Sequence, residues 1–197
     1  MVVLGIDTAG PVVSAALWWG AAEGPSWSAR IVRGADGVLL PAIVELLALA
    51  DERGTPPARV AVAVGPGSFT GLRVGVATAL GIAMSRGLLV AGVSSLAARA
   101  AAVPGEPDVL ALLDARKGRV YAGRFDTRGP SPVPRAEEQD EPLLVAMAGD
   151  SGVATGEGAA VNAATLMGAG WRLAEVPDGG GAACVARLGA SLPAVDA

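Results

Sequence analysis

An α/β fold in two related lobes is what this sequence predicts, and three observations predict it. Short apolar runs alternate with segments whose apolar residues recur at helical spacing. The run Leu4-Gly5-Ile6 ends at Asp7 and enters a turn that leads into a second apolar run, and Ala111-Leu112-Leu113 ends at Asp114 and does the same. Between these two strand, Asp turn, strand units lies "VPGEP", Val103 to Pro107, a breaker cluster that reads as a lobe boundary. We therefore expect a first lobe over residues 1–103 and a shortened second lobe over 104–197, related by internal duplication; two unrelated hairpins are the alternative.

Each element follows from local pattern. Val2 to Ile6 reads as a strand, "DTAGP" as a turn, Val12 to Trp19 as the returning strand, and Ser26 to Val32 as a third. Leu39, Leu40, Ile43, Leu46 and Leu47 stand at helical spacing within Leu39 to Leu49, with Asp36 as N-cap and Pro41 in the first turn. "GTPP" ends that helix. Arg59 to Val64 is a buried strand, Ser68 to Arg86 a second helix, and Leu88 to Gly92 a short strand before a helix capped by Ser94 or Ser95. In the second half Val120 to Phe125 closes the hairpin after Asp114, and "RGPSPVPRAEEQDEP" reads as a loop. The glycine-rich stretches Gly149 to Gly158 and Gly179 to Gly181 bracket one or two weakly marked elements.

Composition excludes several function classes. At 197 residues the chain can bury a core without disulfides, and its single cysteine, Cys184, cannot form one internally. There is no histidine, so His-based zinc sites, Ser-His-Asp triads and Cys-His dyads are excluded, and we expect no metal site and no peptidase chemistry. The net charge of −4 argues against a free-standing nucleic-acid binder, so any RNA contact is shared with a partner. No charge-free run of about 18 apolar residues exists to span a membrane, and the start "MVVLGIDTAG" lacks a basic n-region. A cytoplasmic location is expected.

The stretch "GPGSFTGLRVG", Gly65 to Gly75, carries the sharpest local question. It fits neither the dinucleotide fingerprint, which needs glycine at Thr70, nor the P-loop, which needs Gly-Lys-Ser/Thr at Gly71, Leu72 and Arg73. What remains is a strand that ends in a turn, with Pro66 fixing φ, Gly65 and Gly67 allowing positive φ, and Ser68 or Thr70 capping a helix. The first amides of that helix either hold an anion or are satisfied by the caps alone. Farther along, Gly71, Gly75, Thr78, Ala79 and Ala83 leave one side of the helix almost without side-chain bulk, the pattern of a close contact. Each interior glycine costs about 0.5–1 kcal/mol against alanine, which calls for a packing gain. The contact is either within the chain or with another one.

Strand, Asp turn, strand in two lobes is also how actin-like ATPases and sugar kinases grip nucleotide phosphates. Asp7 and Thr8 in "DTAG" suit that role, whereas Arg116 and Lys117 in "DARKG" replace the small residues that let backbone amides close on phosphate after Asp114. "DGGGAA", Asp178 to Ala183, superficially matches the glycine pair that such enzymes set under adenine; a loop before a C-terminal helix is the alternative.

Five segments carry a resemblance: "GIDTAGPVVSAAL", "LLPAIVELL", "VAVGPGSFTGLRVGVATALGIA", "GVSSLAARA" and "LLDARKGRVYAGRF". In this order and spacing, over about Met1 to Phe125, they resemble the bacterial TsaB (YeaZ) family, the non-catalytic subunit of the machinery that makes threonylcarbamoyladenosine in tRNA. The resemblance implies a two-lobed actin-like (ASKHA, ribonuclease H-like) fold with duplicated mixed sheets flanked by helices. It implies a scaffold that dimerises when alone and binds the catalytic TsaD subunit, which transfers threonylcarbamoyl to N6 of adenosine 37 in ANN-decoding tRNAs. The TsaE ATPase is a further implied partner, and tRNA is met only through the complex. By the same resemblance Leu39, Leu40, Ile43 and Leu47 of the first helix, with Ser68, Phe69, Thr70, Gly71, Leu72, Arg73, Gly75, Thr78 and Ala79 of the second, form the partner or dimer interface. No residue is catalytic, no cofactor is required by the isolated chain, and a partner interface is a place where ATP or ADP could bind. Asp7, Thr8 and Asp114 become vestigial cleft positions. Two departures stand out: the family's His-Ser pair before the "LLP" helix is replaced by Gly34, Ala35, Asp36 and Gly37, and the second lobe matches only loosely. A stand-alone actin-like ATPase or kinase is the alternative function.

Overall fold

The fold was obtained as a computed structural model that describes residues 1–31, 36–174 and 181–197. Val32, the Gly34 and Ala35 positions, the side chain of Asp36 with its expected cap, and Asp178 to Gly180 of the glycine run lie outside the described residues. Along the chain the elements are β1 (Val3–Asp7), β2 (Val12–Trp18), β3 (Glu23–Arg30), α1 (Asp36–Glu52), β4 (Arg59–Gly65), α2 (Phe69–Arg86), β5 (Leu89–Ser94) and α3 (Ser95–Ala101). There follow β6 (Val109–Arg116), β7 (Arg119–Asp126), β8 (Val133–Pro134), β9 (Gln139–Pro142), α4 (Leu143–Ala146), β10 (Val153–Thr155), α5 (Glu157–Val161), α6 (Ala163–Gly168), β11 (Arg172–Leu173), α7 (Ala182–Gly189) and β12 (Val195–Asp196).

These strands form two separate sheets of one design. The first has the order β12-β5-β4-β1-β2-β3 and the second β11-β10-β6-β7-β8, with β9 also paired to β7. In each, an antiparallel hairpin (β1 with β2, β6 with β7) is extended by strands parallel to its first member (β4 and β5, β10 and β11). Even the Asp turns repeat: the Ala9 amide donates to Asp7 Oδ1 at 2.9 Å and the Arg116 amide to Asp114 Oδ1 at 2.8 Å. The duplication expected from the sequence is present.

In the first unit every residue of β1 is buried, because the sheet is covered on both faces. Alternation along β1 sends Leu4 and Ile6 to one side, where they pack with Leu39, Ile43, Leu46 and Leu47 of α1 and Ala79, Ile82 and Ala83 of α2. Leu39 and Ile43 are fully buried, each worth about 1.5–3 kcal/mol of transfer free energy. Gly5 faces the other side, against α7, where an added Cβ would stand 2.2 Å from the Ala182 carbonyl oxygen. A two-sided strand needs a second cover, and the chain supplies it late. The compact unit accordingly comprises Met1–Ser95 plus the C-terminal segment carrying α7 and β12, whereas the sequence reading gave all of 104–197 to the second lobe. Helix α1 also begins earlier than the spacing predicts, so Pro41 falls in its second turn rather than its first.

The second unit, Leu96–Asp178, centres on Leu110, Leu112, Val120, Ala122, Ala154, Leu166 and Trp171. Arg99 and Glu157 form a nearly buried ion pair at 2.9 Å. Arg124 binds the Asp108 carboxylate, donates to the carbonyls of Ala148 and Asp150 at 2.6 and 2.7 Å, and lies over the Trp171 ring. The loop expected over "RGPSPVPRAEEQDEP" carries two short strands, β8 and β9, which share the third-strand place beside β7.

Candidate functional site

Helices α1 and α2 lie on the same face of the first sheet, and their C-terminal ends are tied by a two-pronged bond from Arg86 to Asp51, at 3.1 and 2.9 Å. The Arg86 hydrogen bond holds the Asp51 carboxyl below its ordinary range, and Asp51 in turn raises Arg86. Both side chains are partly exposed, so this pair fixes helix spacing more than it stabilises the fold.

The two helices each carry two apolar faces. Inward, α1 buries Leu39, Ile43, Leu46, Leu47 and Ala50, and α2 buries Gly75, Ala79, Ile82 and Ala83. Outward, α1 presents Leu40 and Val44, one turn apart, and α2 presents Phe69, Leu80 and Met84, spaced so that they share one side. These are large exposures: 51% and 58% for the α1 pair, 67% for Phe69 and 70% for Met84. Arg73 lies on the same side, its guanidinium 3.9 Å from the centre of the Phe69 ring. Large apolar side chains exposed on two helices of one sheet face make this side of the protein a candidate interaction surface.

This geometry divides the expected interface residues. Leu40, Ser68, Phe69, Thr70 and Arg73 are exposed, and Gly71, Leu72 and Thr78 are half-buried. Leu39, Ile43, Leu47, Gly75 and Ala79 are not at a surface at all; they are core of this chain. The exposed set also includes Val44, Leu80 and Met84, which sequence reasoning did not name although the four-residue spacings Leu40–Val44 and Leu80–Met84 put them on the same sides. α1 is apolar on its buried inward side and, at Leu40 and Val44, on its exposed outward side.

The small-residue side of α2 meets its partner within the chain. An added Cβ at Gly71 would stand 2.1 Å from the Thr8 carbonyl oxygen, and one at Gly75 would stand 2.2 Å from Thr8 Oγ1. Thr8 is fully buried in this notch and its hydroxyl donates to the Gly71 carbonyl at 2.7 Å. The loop before the helix is equally committed. Gly65 and Gly67 adopt φ of 121° and 154°, the Ser68 amide donates to Ala9 O at 2.8 Å, and Ser68 Oγ, the cap, accepts from the Gly71 amide at 3.3 Å. The Leu72 amide goes to the Ser68 carbonyl at 2.8 Å. Three of the amides at this helix start, those of Ser68, Gly71 and Leu72, are thus already committed to acceptors within the protein.

The vestigial positions differ in kind. Asp7 is fully buried, with Oδ1 accepting from Ala9 and Oδ2 from the Gly181 amide at 2.9 Å. Asp114 is exposed, in a turn where Arg116 and Lys117 both take left-handed φ, 67° and 54°, a conformation costly for residues with a Cβ. Among the described residues no three His, Cys, Asp or Glu side chains are grouped to hold a metal, and no helix is long and apolar enough to cross a membrane.

A ribonuclease H-like sheet occurring twice, each copy opened by an Asp turn, defines an actin-like α/β protein, and here the first turn is filled and the second encumbered. Comparison with known proteins narrows this. The sequence model of the family described as "TsaD: tRNA N6-adenosine threonylcarbamoyltransferase" matches residues 36–138, more than half of the chain. The chain is 34% identical over 128 residues to the tRNA threonylcarbamoyladenosine biosynthesis protein TsaB of Escherichia coli (strain K12), covering 64% of this chain and 55% of that one. It is 37% identical over 87 residues to the protein of the same description from Bacillus subtilis (strain 168), covering 44% of this chain and 38% of that one. The matches thus span about half or less of those relatives. The solved structure of YeaZ from Pseudomonas aeruginosa superposes with a TM-score of 0.75 at 25% identity, covering 96% of this chain and 91% of that one. The chain belongs to the TsaB (YeaZ) family.

Proposed function

We propose that this protein is the non-catalytic scaffold subunit of the complex that installs threonylcarbamoyl on N6 of adenosine 37 in ANN-decoding tRNAs. The observation that carries this is the outward apolar face of α1 and α2 on a chain of this family. That face binds a TsaD-family catalytic subunit, and a second copy of the chain when no such subunit is present. TsaE joins as a further partner, tRNA is met only through the complex, and the whole acts in the cytoplasm. Any ATP or ADP lies at a joint with a partner, since the Asp7 carboxylate already has protein partners and the Asp114 turn bears Arg116 and Lys117.

Two measurements on purified protein test this reading. The chain is expected to co-purify with a TsaD-family subunit and, alone, to show neither ATP turnover nor peptidase activity. Robust ATP hydrolysis by the isolated chain, abolished by Asp7→Ala, would instead support a stand-alone actin-like ATPase or kinase.

A further inference from the structure

Helix α7 crosses the first sheet on the face away from α1 and α2, and the sheet meets both of its ends with a charge. At its start the N-cap is Gly181, which has no side chain to offer its own amides. Asp7 Oδ2 accepts from the Gly181 amide at 2.9 Å and Ser14 Oγ from the Ala182 amide at 3.2 Å. Both acceptors are at least 98% buried, and they stand opposite each other across the β1–β2 pair. At its end, Arg59 of β4 donates through Nη1 to the carbonyls of Gly189 and Leu192, each at 2.7 Å. An acid at the positive helix terminus and a cation at the negative one match the helix dipole at both ends. Between them the helix lies hard on the sheet: an added Cβ at Gly189 would stand 2.3 Å from the Ala61 Cβ.

We infer that Asp7 and Arg59 form a two-ended latch that holds the C-terminal helix on the first sheet, with the Asp7 carboxylate acting as the resident anion of the helix N-terminus. This buried carboxylate, with a backbone amide on each oxygen, stands where a phosphate would meet the helix. Asp7 is thereby a positioning residue for α7. The latch is a property of the chain alone and does not rest on the scaffold reading, so the two stand or fall separately.

Hydrogen exchange of the isolated chain tests the latch. Asp7→Asn keeps one accepting oxygen and sets an NH2 donor against the other backbone N–H, and exchange of the Gly181, Ala182 and α7 amides is expected to rise about ten- to a hundredfold while those of α5 and α6 stay unchanged. Arg59→Met is expected to do the same from the C-terminal end of α7. Should Asp7→Asn fail to fold, Ser14→Ala, which removes only the second acceptor, gives the same reading on the α7 amides. Unchanged α7 exchange in the folded variants would overturn the inference, as would Mg-ATP slowing exchange around Asp7 in the natural chain but not in Asp7→Asn.

Discussion

Gly71→Ala is expected to destabilise the folded chain by about 1–3 kcal/mol, net of the roughly 1 kcal/mol that alanine gains over glycine in helix propensity. The new methyl group would meet the Thr8 carbonyl oxygen at 2.1 Å, and main-chain atoms of a buried turn cannot rotate out of the way. Gly75→Ala meets the Thr8 hydroxyl instead, at 2.2 Å. The two substitutions should therefore respond differently to Thr8→Ala. With the hydroxyl gone, the nearest remaining Thr8 atom at Gly75 is an ordinary contact at 3.4 Å, so Gly75→Ala and Thr8→Ala should couple by about 1 kcal/mol or more. Thr8→Ala leaves the Thr8 carbonyl oxygen in place and so should not relieve Gly71→Ala. Thermal unfolding of the three single and two double variants measures this, and a Gly71→Ala chain more stable than the natural one would show that the notch is open.

Charge on the outer helix face is expected to have the opposite signature. Met84→Asp and Val44→Asp change side chains that contribute little to the core, so unfolding should shift by no more than about 0.5 kcal/mol. Association with a TsaD-family subunit should weaken by about thirtyfold or more, because an apolar anchor at the centre of an interface is typically worth 2 kcal/mol or more and a carboxylate there must be desolvated. Sedimentation with and without the partner reads the effect. Loss of association together with a matching loss of fold stability would place these residues in the core instead.

The contrast between these two predictions reflects what was legible in the chain. The duplicated hairpins were legible because Asp7 and Asp114 each close an apolar run and enter a turn that leads into a second one. The stripe Gly71, Gly75 and Ala79 was legible as a close contact, but spacing on one helix says nothing about which element fills the notch. The filler is Thr8, sixty-three positions earlier than Gly71 in the chain. On α1 the pattern hid a division: Leu39 and Leu40 are adjacent and both apolar, yet one points into the core and the other to solvent. β8 and β9 were missed because edge strands with exposed prolines and carboxylates carry no alternation. The return of α7 to the first sheet was not legible either, since its tie runs from the backbone amide of Gly181 to the distant Asp7 carboxylate, and a backbone donor leaves no mark in the side-chain pattern.

The scaffold account is tested most directly by reconstituting threonylcarbamoyladenosine formation on tRNA with a TsaD-family catalytic subunit and its other partners, adding this chain in its natural form or as Met84→Asp. The account predicts that modification depends on the natural chain, that Met84→Asp restores little of it at matched concentration, and that raising the concentration of the variant recovers it. Modification that proceeds equally with the natural chain, with Met84→Asp and with no added chain would contradict it.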